Sequence, residues 1–578
     1  MSPRLLLGLA AVAVMFAAAD TYVVVLALPD MMAGVGLSVD ELQRAAPIVS
    51  GFLLGYVAIL PLVGRIADLR GRVPVLVGSL VVFALGSLVT AAAYDLPSMV
   101  AGRFLQGAGG GGLVPATLAL VADLYPPQRR GVPLGVVGAV QEVGSVLGPL
   151  YGALVLAVAG WQAIFALNLV IGLLLAAAIS ADPSPAWASE RRVGEEVTGR
   201  RDWLGLALAL LALLSMTLTM VQPPQLTGGL TVGLAFVPVL GSSRWLSPVG
   251  IAFTVLALAF AARCLTATRP LVDVRRWADL GRRADLLGAT LLAVALGGIV
   301  LAFASADPEV ALLSRSGPWW LVASLAAAVL LVVHLRRADN PLVPRAALAR
   351  RPAWGAVATS FFVGAALIAA LVDIPIFARV TVYPASQLDA ALVLVRFLVA
   401  LPVGALAGGF LTRRLPYGVI VAFGMLLSST AFVAMSRWGL DTLRDPLATV
   451  PLVLAGLGFG LALAPVNAAL LAATDDAVHG VTSALLVVAR MVGMLVGISA
   501  LTTIGLRRYY AVQLDLPAPA DVCRSGTQCA TYTRMLKEAG LEQLHTVFLG
   551  AAVCAVLAAV LALVTFRRVG ARSVTWLP

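Results

Sequence analysis

Apolar stretches of about 20 residues recur along the whole 578-residue chain, separated by short polar or arginine-bearing turns. A helix of about 20 apolar residues spans the ~30 Å hydrocarbon core of a bilayer. Inside lipid every backbone N–H and C=O must be satisfied within the protein, which leaves helices and closed barrels as spanning structures. The alternating pattern of a membrane barrel is absent. The expected fold is therefore an all-α polytopic membrane protein. Composition agrees: charged residues make up 12% of the chain, whereas soluble domains carry about 25%. The first stretch, Leu5 to Leu28, is too long for a signal peptide and has no small-residue cleavage site. It reads as a retained helix.

The pattern predicts sixteen helices, at roughly 5–28, 47–64, 73–94, 99–124, 131–158, 161–180, 203–221 and 249–267, then 286–304, 318–335, 355–378, 388–411, 417–436, 450–472, 481–506 and 546–567. An even number puts both termini on one side. The net charge of +11 would suit nucleic acid, but the basic residues gather in the segments that this topology places on one side. That is the positive-inside bias. No nucleic-acid partner is expected, and both termini are expected in the cytoplasm of a cell whose plasma membrane holds the chain.

The middle four helices contain a repeat. "RRDWLGLALALLALL" (Arg200 to Leu214) leads through a second helix to "RPLVDVRRW" (Arg269 to Trp277), and "RRADLLGATLLAVAL" (Arg282 to Leu296) leads through another to "NPLVPRAAL" (Asn340 to Leu348). Each unit is a hairpin entered at an acid and left through Pro-Leu-Val, so a duplication is the expected origin. These hairpins are expected at the periphery. Without them two six-helix halves remain. The expected divisions are 1–185, a central linker 186–350, and 351–578 with an external extension over 507–545. Paired halves with a site at their interface are a secondary-transporter plan.

Six ionisable residues fall well inside the expected helices: Asp20, Glu142, Asp373, Arg103, Arg396 and Arg490. A charge near the bilayer centre costs about 2.5–3.5 kcal/mol on insertion scales, so such residues pair or serve a pathway. Glu142 and Arg490 lie at similar depth in the fifth and fifteenth helices. They are expected to pair between the halves and close the cytoplasmic route, the alternative being a partner for each within its own half. Asp20 is the expected proton-bearing group, with Asp373 as its counterpart and Glu142 as a third candidate. Arg103 needs a carboxylate or carbonyl partner, and Arg396 is expected to balance Asp373 or to lower its pKa. No catalytic constellation, phosphate loop or metal-ligand spacing is visible, and His334, His479 and His545 are the only histidines. Neither an enzyme, an ATP-driven pump, a cofactor nor a metal is expected, and the proton gradient is the expected energy source.

Four segments carry a family resemblance. "GRIADLRGRV" (Gly64 to Val73) resembles the G-x-L-A-D-R-x-G-R-K loop of the major facilitator superfamily. Gly64, Ala67, Asp68, Gly71 and Arg72 match, while Leu69 and Val73 stand where basic residues are usual. "GRFLQGAGGGGLVP" (Gly102 to Pro115) resembles the family's fourth-helix R-x-x-Q-G motif. "QEVGSVLGPLYG" (Gln141 to Gly152) resembles the G-x-x-x-G-P motif of its exporters through Gly144, Gly148, Pro149 and Gly152. That motif implies a contact between the halves. "DTYVVVLALPDM" (Asp20 to Met31) resembles the signature of the fourteen-helix drug:proton antiporter branch, from which sixteen helices depart. Within the branch, the triacylglyceride-exporting members that work with a lipoprotein are nearest. "LVDIPIF" (Leu371), "FLVALPVGALAGG" (Phe397) and "VVARMVGMLVG" (Val487) add to that likeness, which fails over roughly 274–345. It implies a proton-coupled exporter working by alternating access, moving triacylglycerides or related lipids toward the envelope. The wider branch implies amphiphilic or cationic drugs instead. A monomer with a lipoprotein partner is expected.

Arg507 to His545 is the longest polar segment expected outside the membrane. Cys523 and Cys529 lie there, on a side where oxidation is permitted, and either pair or stay free. Thr531 to His545 reads as an amphipathic helix. The segment is expected to help an amphiphilic substrate leave, or to dock the lipoprotein.

Overall fold

The computed structural model describes residues 2–37, 42–181, 202–229, 232–267, 270–274, 283–304, 316–338, 341–343, 348–384, 386–517, 522–523 and 529–566. Among them are sixteen helices of 19 residues or more and no strand. They are α1 (Pro3–Gly34), α2 (Leu42–Arg70), α3 (Arg72–Ala91), α4 (Leu96–Leu124), α5 (Gly131–Val158) and α6 (Gln162–Ser180). The central ones are α7 (Trp203–Val221), α8 (Pro248–Thr266), α9 (Leu286–Ala304) and α10 (Gly317–Arg337). The last six are α11 (Arg351–Val380), α12 (Gln387–Leu411), α13 (Tyr417–Met435), α14 (Thr449–Ala473), α15 (His479–Leu514) and α16 (Ala530–Thr565). Every expected helix position is filled. Among the described residues, fourteen of the helices are long and apolar enough to cross a membrane. The other two are the 28-residue α5 and α9, whose apolar part is Leu286–Ala302.

Sequence-coded caps start several helices. Asp95 accepts the Ser98 N–H at 2.9 Å, and Ser98 answers with its hydroxyl to form a capping box at α4. Glycine sets how closely the helices pack. α4 runs between α2 and α3. A Cβ on Gly109 would stand 2.7 Å from the Ser79 carbonyl of α3, and one on Gly111 2.7 Å from the Tyr56 carbonyl of α2. The glycine run is thus what lets α4 sit between two neighbours at backbone contact.

α1 to α6 pack among themselves, as do α11 to α16. The halves meet through α2 against α15 and α5 against α12. These seams lie at the end of the bundle that carries the α2–α3 loop, called here the loop end. There a buried cluster draws residues from both halves, among them Leu60, Val121, Ala468 and Val487. The cluster around Met31, Trp161 and Phe165 at the opposite end belongs to the first half alone.

The duplicated hairpins share one wiring. Asp202 accepts from Gly205 N (3.0 Å), from Arg263 of the second helix (3.1 Å) and from Leu271 N of Pro-Leu-Val (3.3 Å). Asp285 accepts from Gly288 N (2.9 Å), from His334 (2.6 Å) and from Leu342 N (2.8 Å). The Gly205 N–H and the Arg263 guanidinium hold the Asp202 carboxyl below its usual range. The copies nonetheless sit differently. α7 and α8 pack on each other, with much of their surface exposed, as expected of peripheral helices. α9 instead packs on α2 and α15, so the expectation that all four central helices stand outside the six-plus-six core fails for this one. Small residues at Ala289, Ala295, Gly297 and Ala302 allow that close approach.

Candidate transport site

A cavity lies between the halves, lined by α4, α5, α11, α14 and α15. Most of its wall is apolar. Its polar groups are Gln141 and Glu142 from α5, Ser360 from α11, Asn467 from α14 and Arg490 from α15. Glu142 is 7% exposed, and Arg490 is the charged group that acts on it across the cavity. The expected pairing of these two is not formed here. They face one cavity at matching depth, but they form no ion pair within 4.0 Å in this state. Arg490 also acts on the Tyr56 side chain of α2. Replacing Glu142 or Arg490 singly with Gln is expected to slow transport at least several-fold. Replacing both should recover part of that loss, with a coupling of about 0.5–3 kcal/mol. Additive losses in transport rates would show that each acts alone.

Asp20 does not line this cavity. It is 1% exposed inside the first half and receives three donors. Arg103 Nη1 donates to Asp20 Oδ2 at 2.7 Å, Asn168 Nδ2 to Oδ1 at 2.5 Å and Gln106 Nε2 to Oδ1 at 3.2 Å. Arg103 Nη1 also reaches Gln106 Oε1 at 2.8 Å, and its guanidinium lies 4.5 Å from the Phe52 ring centre. Four helices thus supply one closed network, and the expected partner for Arg103 is Asp20. The sequence reading held Gln106 only as part of the R-x-x-Q-G motif and missed Asn168, whose signal was an amide in the middle of the apolar α6.

The second half does not mirror this arrangement. Asp373 is 4% exposed, and the hydrogen bond found for Arg396 runs to Thr449 Oγ1 at 3.0 Å, not to Asp373. The expected balance between Arg396 and Asp373 is therefore not formed. Gly107 meets the Phe52 carbonyl of α2 as Gly456 meets the Phe397 carbonyl of α12, and on that register Leu452 stands where α4 has Arg103.

The α2–α3 loop is a clamp between halves. Gly71 turns the chain at φ 96°, a left-handed conformation that glycine adopts without a Cβ penalty. Asp68 accepts from the N–H groups of Gly480 (2.7 Å) and Val481 (3.0 Å). These open α15, so a carboxylate of one half caps the positive end of a helix in the other. Arg72 ties the cap in place. It pairs with Asp68 and Asp123, each at 3.3 Å, and donates to the Asp476 carbonyl at 2.9 Å. Gly64 and Gly480 meet face to face, and a Cβ on Gly64 would strike the Gly480 carbonyl. Arg130 reaches Asp476 at 3.7 Å from α5's first turn. Asp476 and Arg130 were not foreseen, because each lies in a turn whose charges read as ordinary solvated ones.

The α5 motif is placed differently from the expectation. Gly144, Gly148 and Gly152 lie against Met15, Ala19 and Val23 of α1, within the same half. α5 stays helical through Pro149. The α5 glycines that touch the other half are the earlier ones, Gly131, Gly135 and Gly138, which meet Thr412, Gly409 and Ala405 at and before the end of α12.

Cys523 and Cys529 are bonded. α15 and α16 hold 36 residues each, about 54 Å at 1.5 Å per residue, and so exceed a ~30 Å core. Beyond it Arg508 meets Glu542 at 3.7 Å, and His545 donates to the Trp438 carbonyl at 2.7 Å.

Two six-helix halves around a charged cavity, clamped at one end, define a membrane transporter of the two-half type. The profile of the Major Facilitator Superfamily matches residues 10–333, and the chain belongs to that superfamily. A "Triacylglyceride transporter" of Mycolicibacterium smegmatis is 34% identical over 573 residues, covering 95% of this chain and 85% of that one. A "Probable triacylglyceride transporter" of Mycobacterium leprae is 30% identical over 582 residues, covering 98% and 96%. Among solved structures, the human organic anion transporter MFSD10 superposes with a TM-score of 0.51 at 16% identity, covering 97% of this chain and 100% of that one. That last likeness concerns the fold alone.

Proposed function

We propose that this chain is a secondary active exporter that moves triacylglycerides or related lipids across the plasma membrane toward the envelope by alternating access. The observation that carries the reading is the inter-half cavity with Glu142 and Arg490 on opposite walls, sealed at the loop end by Asp68 on α15. With the arginine-rich loop end in the cytoplasm, this is a state closed toward the cytoplasm. The two mycobacterial relatives, both named as triacylglyceride transporters, favour lipid. So do α15 and α16, whose paired projection past the bilayer offers an apolar departing substrate a surface and a lipoprotein a place to dock. A carboxylate in the cavity favours a second reading, efflux of cationic amphiphiles.

The energy source is the proton gradient, and Asp20 is the coupling group. Its three donors, from Arg103, Gln106 and Asn168, support a role for a charge at this position. A proton on Asp20 would cancel its charge, release Arg103 and loosen four helices of the first half together. The test is flux of labelled triacylglyceride and of ethidium in proteoliposomes, with and without an imposed proton gradient. Gradient-driven lipid flux that Asp20→Asn abolishes is the expected result. Ethidium flux without lipid flux would replace the substrate, and equal flux at zero gradient would remove proton coupling.

A further inference from the structure

The second hairpin, α9 with α10, crosses the seam on which closure of the loop end depends. Ala289 and Leu292 of α9 enter a buried cluster with Leu62 of α2 and with Val478 and Val481 at the start of α15. Farther along, a Cβ on Gly297 would stand 2.9 Å from Leu54 of α2, and Val300 joins the core shared by the two halves. The hairpin is tied together as one unit. Asp285 ties α9 to α10 through His334 and to the Pro-Leu-Val segment through Leu342 N. Ser324 of α10 donates to the Ala295 carbonyl at 2.5 Å, and Gly298 abuts the Trp320 carbonyl. The first hairpin has the same Asp202 wiring but packs on neither α2 nor α15. Straddling the seam is therefore a property of the second copy.

We infer that the α9–α10 hairpin is a clasp across the halves: it rides on α2 and must release α15 each time the loop end opens. The grip on α2 extends from Leu62 back to Leu54, whereas α15 is held at its first turn, so α15 is the contact that parts. Ala289 and Asp285 are then positioning residues for transport that touch no substrate. The inference rests on the alternating-access reading above.

Cysteine pairs test it in a chain whose free Cys264 and Cys554 are replaced by Ser. Each pair is compared oxidised and reduced, with the parent as control. Ala289→Cys with Val481→Cys is expected to cross-link and to lower lipid flux at least tenfold until reduced. Leu54→Cys with Gly297→Cys is expected to cross-link and keep flux within twofold. Gly138→Cys with Ala405→Cys joins the halves directly, since a Cβ at Gly138 stands 3.9 Å from that of Ala405, within disulfide reach. It is expected to arrest flux. Flux that persists through the Ala289–Val481 bridge but stops at the Gly138–Ala405 bridge overturns the clasp alone. Flux that persists through both overturns alternating access. Failure of the Ala289–Val481 pair to cross-link overturns the clasp, and arrest by the Leu54–Gly297 bridge overturns its riding on α2. As a second reading, Asp285→Asn should raise thiol labelling of a cysteine at Gln141 in the cavity from the loop end at least threefold, while Asp202→Asn leaves it unchanged. Equal labelling in the two variants also counts against the clasp.

Discussion

Arg103→Met should destabilise the protein by about 3–5 kcal/mol, because it strands Asp20 as an unpaired charge in a site closed to water. Arg103 and Asp20 are each 1% exposed, so neither solvent nor lipid headgroups can take over the lost contact. Thermal unfolding in detergent measures the loss. Adding Asp20→Asn should return most of it, since the asparagine carbonyl can still accept from Gln106 and Asn168 while the charge is gone. Stability and transport then separate. The double variant is expected to fold near the parent's midpoint, yet to move lipid without response to a proton gradient. An unchanged midpoint for Arg103→Met would show that the pair does not hold the first half together.

Gly480→Val acts at the other end of the mechanism. Its side chain would be driven into the Gly64 carbonyl, and the Cβ alone would stand 2.8 Å from Asp68 Oδ1. Backbone cannot yield there as a flexible side chain would, so the loop end should stay parted. Transport is expected to fall at least tenfold, and a cysteine placed at Gln141 in the cavity should become open to thiol reagents from the loop end. Asp68→Asn should give a milder version, because the amide keeps an acceptor for one N–H but loses the attraction to the helix terminus, about 0.3–1 kcal/mol for an exposed site and up to about 2 when partly buried. Normal transport by Gly480→Val would mean that the Gly64–Gly480 contact is no part of the cycle.

The helices were legible because a bilayer demands apolar length, and length is read directly from the chain. The clamp was legible because Gly64, Asp68, Gly71 and Arg72 follow one another in a single loop. What Asp68 caps was not, since Gly480 lies 412 residues away and nothing local to either residue points to the other. The same limit applies to Asp20. Its burial and its need of a base were visible, but the convergence of Gln106 and Asn168 depends on how four helices rotate about their axes. Periodicity fixes such rotations poorly in helices that are apolar on every face. The α5 glycines misled for that reason: the motif named a helix that does contact the other half, but its later glycines turn toward α1 and its earlier ones make the contact. The Arg396–Asp373 balance failed because a count of charges says nothing about distance.

The duplicated hairpin also bears on how such a chain can lengthen. A single added helix between the halves would turn every later one upside down. The Cys523–Cys529 loop would then sit on the reducing side, and the α15 terminus that Asp68 caps would face the wrong leaflet. A pair of helices cancels its own inversion, so the smallest insertion this architecture tolerates is the one found here twice. The second pair, free of any duty in sidedness, was available to settle on the seam.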